Sequence, residues 1–130
     1  MKTNQLMPCV ALPDLTLART FYQTNFDAKV MFDCGCYLVL KVGDTEFAMM
    51  TPQEGDCAPY TGSGLTFNFR VPDVDAEYRR LTEQGLEPVM PLEDHPWGDR
   101  GFSVNDPNGV SLYLYTEKEP DDAFKPYFKT

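Results

Sequence analysis

Histidine and cationic side chains are the scarce components of this 130-residue chain: it has one histidine, His95, and 11 Lys and Arg against 20 Asp and Glu. The net charge of -9 argues against two classes of partner. Nucleic-acid binders displace counterions with a cationic surface. Anionic membrane leaflets attract basic segments and repel acidic ones. Neither nucleic acid nor a membrane is therefore expected as a partner. No apolar run approaches the roughly 18 residues that a membrane span requires. The opening MKTNQLMPCV has one Lys and no continuous apolar stretch, so no secretory signal is read there and a cytoplasmic location is expected. A nucleophilic triad and a phosphate-binding glycine loop are also missing, because Gly62-Ser63-Gly64 precedes a strand-like stretch and not a helix.

The four cysteines, Cys9, Cys34, Cys36 and Cys57, do not read as a disulfide framework. A chain of this size can build a core without covalent staples. Cys34-Gly35-Cys36 lacks the two-residue spacer usual in zinc knuckles and thioredoxin-like sites. Reduced thiols are expected.

What the chain does have is an internal repeat. Leu12-Pro13-Asp14-Leu15 and Val71-Pro72-Asp73-Val74 share a pattern 59 residues apart, and at the same offset Val30-Met31 meets Val89-Met90. Each copy begins with an alternating apolar stretch, Gln5 to Leu12 and Leu65 to Val71, that predicts a strand. Pro closes each strand, and Asp caps a helix by accepting hydrogen bonds from its free first-turn N–H groups. Helical stripes follow: Leu15, Ala18, Tyr22 and Phe26 in one copy, Val74, Tyr78 and Leu81 in the other, with Gly85 ending the second helix. Three strand-like stretches then follow in each half. They are Lys29–Asp33, Cys36–Val42 and Thr45–Thr51, then Glu87–Pro91, Gly101–Asp106 and Val110–Thr116. In Asp106-Pro107-Asn108-Gly109, Asn-Gly can supply the positive φ angles of a tight turn. The prediction is an α+β fold of two tandem βαβββ modules, residues 5–51 and 64–117, joined by a linker at 52–63. An acidic, then aromatic tail at 118–130 carries Phe124, Tyr127 and Phe128, which are expected to dock on the protomer or on a dimer partner.

That order, together with Pro96-Trp97-Gly98, Arg100, Phe102 and Asp106-Pro107-Asn108-Gly109, resembles the vicinal oxygen chelate superfamily of glyoxalases, bleomycin-resistance proteins and extradiol dioxygenases. Its look is nearest to the bleomycin-resistance type. Leu12-Pro13-Asp14-Leu15 with Phe21-Tyr22 is similar to the family's first strand-to-helix joint. The resemblance spans roughly residues 5 to 117. It implies curved mixed sheets that together form a cup around a ligand, and a homodimer as the assembly.

Metal-dependent members of the superfamily place a His or Glu on each of four strands. The corresponding positions here are Met7, Thr66, Met49 and Tyr113. Thioethers suit soft copper(I), and Thr and neutral Tyr are poor ligands for a carbonyl-activating ion. The nearest carboxylates, Glu46 and Glu117, sit near strand ends. No metal and no other cofactor is therefore expected. Strand alternation predicts a cup lined by Met7, Cys9, Phe47, Met49, Thr66, Asn68, Ser111 and Tyr113, with Trp97 and Tyr37 stacking at its rim. Leu112, Leu114, Phe67 and Phe69 are expected on the helix side. His95 is placed in a loop with no partner to orient it. The expected function is metal-independent binding of a small molecule, flat, cationic or aromatic, in the manner of bleomycin-resistance proteins. The alternative is an isomerase or lyase acting on a small metabolite, with Cys9, Tyr113 or His95 as the acid–base group.

Overall fold

The computed structural model describes residues 1–53 and 58–129. Cys57 and the linker glycine Gly55 lie outside the described residues. The chain divides into two compact units, 1–63 with 107–109, and 64–106 with 110–130.

The first unit contains β1 (Cys9–Ala11), α1 (Leu15–Phe26), β2 (Lys29–Asp33), β3 (Tyr37–Val42) and β4 (Thr45–Met50). Its sheet runs β1-β4-β3-β2, with β1 parallel to β4 and the other neighbours antiparallel. The second unit contains β5 (Thr66–Arg70), α2 (Val74–Glu83), β6 (Met90–His95), β7 (Asp99–Asn105) and β8 (Ser111–Glu117). Its sheet repeats the order as β5-β8-β7-β6, again with one parallel pair, β5 and β8. Both units are thus βαβββ with mixed sheets, an α+β architecture.

The Pro-Asp joints work as their chemistry predicts. Asp14 Oδ1 accepts from the N–H groups of Thr16 and Leu17 at 2.9 and 3.2 Å, and Asp73 Oδ1 accepts from Ala76 N–H at 3.1 Å. Leu15, Ala18, Tyr22 and Phe26 are buried along α1. Tyr22 meets Phe47 of β4 edge-on, with centroids 5.3 Å apart. On α2, Val74 and Leu81 are buried, and Tyr78 packs edge-on against Phe102 of β7 at 5.2 Å. Thr116 Oγ1 ties the start of α2 to β8: it accepts from Val74 N–H and donates to the Val71 carbonyl, both at 3.0 Å.

Several strand boundaries differ from the sequence prediction; β7, for one, begins at Asp99 and not at Gly101. β1 is shorter than Gln5–Leu12, although its ladder extends through Ala48 N–H to Pro8 O (2.8 Å) and Leu12 N–H to Met50 O (2.7 Å). β6 begins at Met90 and runs on to His95, where the sequence suggested a strand ending at Pro91. Pro91 falls where the β6–β7 register shifts between Met90 and Glu93, and β6 is an edge strand. A bulge on an edge is where a sheet tolerates proline. In the β7–β8 loop, Gly109 takes φ 86°, while Asn108 keeps a negative φ. Asp106 and Val110 bond across this loop, Asp106 N–H to Val110 O and Val110 N–H to Asp106 Oδ1, both at 2.9 Å. It is a three-residue loop opened by proline and closed by glycine, and it needs one positive φ where the two-residue Asn-Gly turn needs two.

Candidate functional site

The faces of each sheet follow from register, because paired residues point to the same side. In sheet one, Phe47 pairs with Leu40, and Met49 with Leu38 and Val10; all five are buried. Tyr22 of α1 lies on this side. The expectation that Phe47 and Met49 line a ligand cup is therefore wrong: they are 3% and 0% exposed and pack beneath the helix. The opposite face carries Cys9, Ala48, Met50, Tyr37 and Val39. Met7, two residues before Cys9, joins that face and is exposed. Gln5 is there too, its amide donating to Glu46 at 3.1 Å. Tyr37 meets Phe32 edge-on. The Cys9 sulfur, chiefly through its charge, pushes the Tyr37 phenol pKa up.

In sheet two the face assignments for Thr66, Asn68, Ser111 and Tyr113 agree with alternation. Thr66 pairs with Ser111 and Asn68 with Tyr113. Thr66 and Asn68 are exposed, Ser111 and Tyr113 half-buried, while Leu112 and Leu114 are buried on the helix side. Extending the same register across β7 and β6 adds Ser103, Gly101 and Asp99, then Glu93 and His95.

His95 is the residue the sequence placed wrongly. It ends β6, is 9% exposed, and stands directly opposite Asp99 across the loop Pro96-Trp97-Gly98. That loop repeats the design of the one at Pro107-Asn108-Gly109, with Gly98 at φ 117°. A three-residue hairpin loop sets residues i and i+4 side by side, so His-Pro-Trp-Gly-Asp is a sequence signal that places imidazole beside carboxylate.

The geometry around the pair is dense. His95 Nδ1 lies 2.7 Å from Asp99 Oδ1, and the Tyr113 hydroxyl donates to both Asp99 oxygens at 2.9 Å. The same hydroxyl is 3.1 Å from His95 Nδ1. A carboxylate can only accept, so the contact with Asp99 is a hydrogen bond when Nδ1 carries a proton; in that neutral tautomer the lone pair lies on Nε2. Nε2 is buried without a hydrogen-bond partner, and Glu93 Oε1 stands 3.6 Å away. Trp97 stacks on the imidazole with centroids 4.3 Å apart and planes 3° from parallel. Burial first, then the hydrogen bond to Asp99 and the charge of Asp99, push the Tyr113 phenol well above the ordinary tyrosine range. Gly101 makes this packing possible: a Cβ there would lie 2.6 Å from the Tyr113 hydroxyl and 2.7 Å from the Leu114 carbonyl oxygen.

Tyr113 also stacks on Tyr115, centroids 5.6 Å apart and planes 19° from parallel. Beside them a groove of about 350 Å³ is walled by Trp97, Tyr115 and Phe128, with Asp99 and Glu117 among its lining. The tail builds part of this wall. Lys118 N–H donates to Gly98 O at 2.8 Å and Asp121 N–H to Pro96 O at 2.9 Å, so the tail docks on the β6–β7 loop of its own chain. Tyr127 and Phe128 remain largely exposed.

The residues do not fit the superfamily's metal. At and around the four positions that the resemblance aligns with metal ligands stand Met7, Cys9, Ala48, Met49 and Met50 in the first unit, and Thr66, Asn68, Ser111 and Tyr113 in the second. Among these side chains Cys9 is the only soft sulfur donor besides the thioethers, and none is an imidazole or a carboxylate; His95 and Asp99 on the second sheet are bonded to each other and to Tyr113. Among the described residues no three His, Cys, Asp or Glu side chains come together as a cation would need.

Two βαβββ units with identical strand order define a vicinal oxygen chelate fold. Solved structures that share it include a glyoxalase/bleomycin resistance protein/dioxygenase from Nocardioides (TM-score 0.75, 19% identity, 92% of this chain and 87% of that one), a lactoylglutathione lyase from Agrobacterium tumefaciens (0.73, 21%, 88% and 95%), and a bleomycin resistance determinant encoded on transposon Tn5 (0.72, 20%, 90% and 100%). The family model of the Glyoxalase/Bleomycin resistance protein/Dioxygenase superfamily matches residues 4–114, and the chain belongs to that superfamily. An uncharacterized protein of Mycobacterium bovis is 44% identical over 48 residues, 37% of this chain. The matched stretch covers 32% of that relative's length and 28% of a counterpart from Mycobacterium tuberculosis.

Proposed function

We propose that the protein binds a flat, cationic or aromatic small molecule on the exposed face of sheet two, without a metal. The observation that carries this reading is the groove walled by Trp97, Tyr115 and Phe128 with Asp99 and Glu117 alongside. Aromatic faces attract cations and flat rings, and a carboxylate adds charge complementarity. Thr66, Asn68 and Ser111 supply hydrogen-bonding groups on the same face, as small-molecule sites require. The net charge of -9 favours a cationic ligand, and affinity should fall as salt rises.

A thermal-shift screen with glycopeptide antibiotics of the bleomycin type and with cationic aromatic compounds tests this. A binder at 100 times its Kd stabilises the fold by about 2.7 kcal/mol. In Asn68→Ala and Tyr115→Ala the shift shrinks while the unliganded melting temperature stays put. A panel that produces no shift removes the proposal.

A second reading is favoured by one specific feature: an imidazole oriented by a carboxylate, with its other nitrogen unpartnered, is the arrangement of a general base. This is the isomerase or lyase alternative, with His95 as the proton carrier. Turnover of a small carbonyl metabolite that His95→Gln abolishes distinguishes it from passive binding.

Assembly as a homodimer is part of the proposal. β2 leaves Val30, Met31 and Phe32 exposed, an apolar strip on an edge strand that a second copy would cover.

A further inference from the structure

The turn between β2 and β3 carries two thiols that the ligand site does not use. Cys34 and Cys36 are both exposed, and their Sγ atoms lie 3.7 Å apart. Gly35 between them adopts φ 93°, a conformation that an L side chain rarely takes. The turn is anchored on either side. Cys34 N–H donates to the Tyr37 carbonyl at 3.2 Å, and Gly35 N–H donates to Asp33 Oδ1 at 3.0 Å. Asp33 is in turn paired with Arg19 of α1.

The two thiols differ in character. The Cys36 backbone N–H, followed by the Cys36 thiol, holds the Cys34 thiol below the ordinary cysteine range. The hydrogen bond with Cys34, followed by the charge of Cys34, pushes Cys36 above it. Cys34 therefore ionises first, and the thiolate is the nucleophile in disulfide exchange.

We propose that Cys34 and Cys36 form a redox-active dithiol that small-molecule disulfides convert to an intramolecular disulfide. The Cys34 thiolate attacks one sulfur of the external disulfide. A Cys34 mixed disulfide forms, and the first thiolate leaves and takes a proton from solvent. Cys36 then loses its proton and attacks Cys34 Sγ, expelling the second thiolate, which is protonated in its turn. The protein loses two protons and two electrons, and one external disulfide takes them up to become two thiols. Closure draws the sulfurs from 3.7 Å to about 2.05 Å by side-chain rotation in an exposed turn.

The test is to treat the reduced full-length protein with oxidised glutathione near neutral pH, alkylate the remaining thiols, and map the peptides by mass spectrometry. The expected main product is the Cys34–Cys36 disulfide. Cys36→Ser should stop at a glutathione adduct on Cys34, and Cys34→Ser should slow the first step about tenfold or more. The proposal is overturned if Cys34 and Cys36 stay alkylatable while Cys9 or Cys57 reacts. It is overturned equally if the two carry separate adducts, or if either bonds elsewhere. Wild-type mapping requires no substitution, so it decides the matter even where a variant fails to fold.

Discussion

The Tyr113 hydroxyl can reach Asp99 because position 101 has no side chain. A methyl group at Gly101 meets the Tyr113 ring and also the Leu114 carbonyl oxygen at 2.7 Å, and a backbone atom cannot swing aside. Gly101→Ala should therefore destabilise the protein by about 1–3 kcal/mol, as overpacking does. Chemical denaturation reads this directly, and an unchanged midpoint contradicts the packing described. Tyr113 itself sets a pH dependence. Its folded pKa is raised above the unfolded value of about 10, chiefly by burial. The stability it contributes is complete below about pH 10 and is lost as pH climbs through the folded value. Tyr113→Phe should flatten the alkaline limb of the stability–pH curve, and an identical slope in that variant would mean the phenol is not held as described. At this scale the shared sheet face of Thr66, Asn68, Ser111 and Tyr113 was legible from alternation alone. The partners of His95 were not: Pro91, Glu93 and Asp94 interrupt the apolar pattern of β6, so the strand that carries the histidine does not announce itself.

Among the elements, the helices could be read with their caps, because a proline that ends a strand and an aspartate that caps a helix leave a local chemical signature. β4 could not be assigned a face. Phe47-Ala48-Met49-Met50 is apolar at every position, so alternation gives no phase, and a one-residue slip exchanges the two faces. The repeat itself holds the answer. Cys9 and Asn68 are equivalent at the 59-residue offset, and they pair with Ala48 and Tyr113 respectively, so Ala48 and not Met49 is the counterpart of Tyr113. Met49→Ala should cost about 2–5 kcal/mol as a buried truncation, while Met50→Ala, half-buried on the other face, should cost clearly less. Equal losses in urea unfolding would place Met49 back among the ligand-facing side chains.

For the molecule as a whole, the superfamily was readable from the order of elements and the Pro-Trp-Gly and Asp-Pro-Asn-Gly runs, whereas the ligand was not, since one fold carries many chemistries. Among the described residues no helix is long and apolar enough to cross a membrane. If β2 forms the proposed homodimer contact, Phe32→Asp should shift sedimentation from dimer to monomer, and a wild-type protein that sediments as a monomer at micromolar concentration ends that part of the account. The central claim is that the face of sheet two carrying the groove walled by Trp97, Tyr115 and Phe128, with Asp99 and Glu117 alongside, receives a small molecule. Trp97 is the only tryptophan in the chain, so its emission reports on that face alone. Titration with a cationic aromatic compound from the thermal-shift screen should quench or shift that emission saturably, and less so at high salt. Binding that saturates by calorimetry while Trp97 emission stays constant would place the ligand elsewhere and contradict the account.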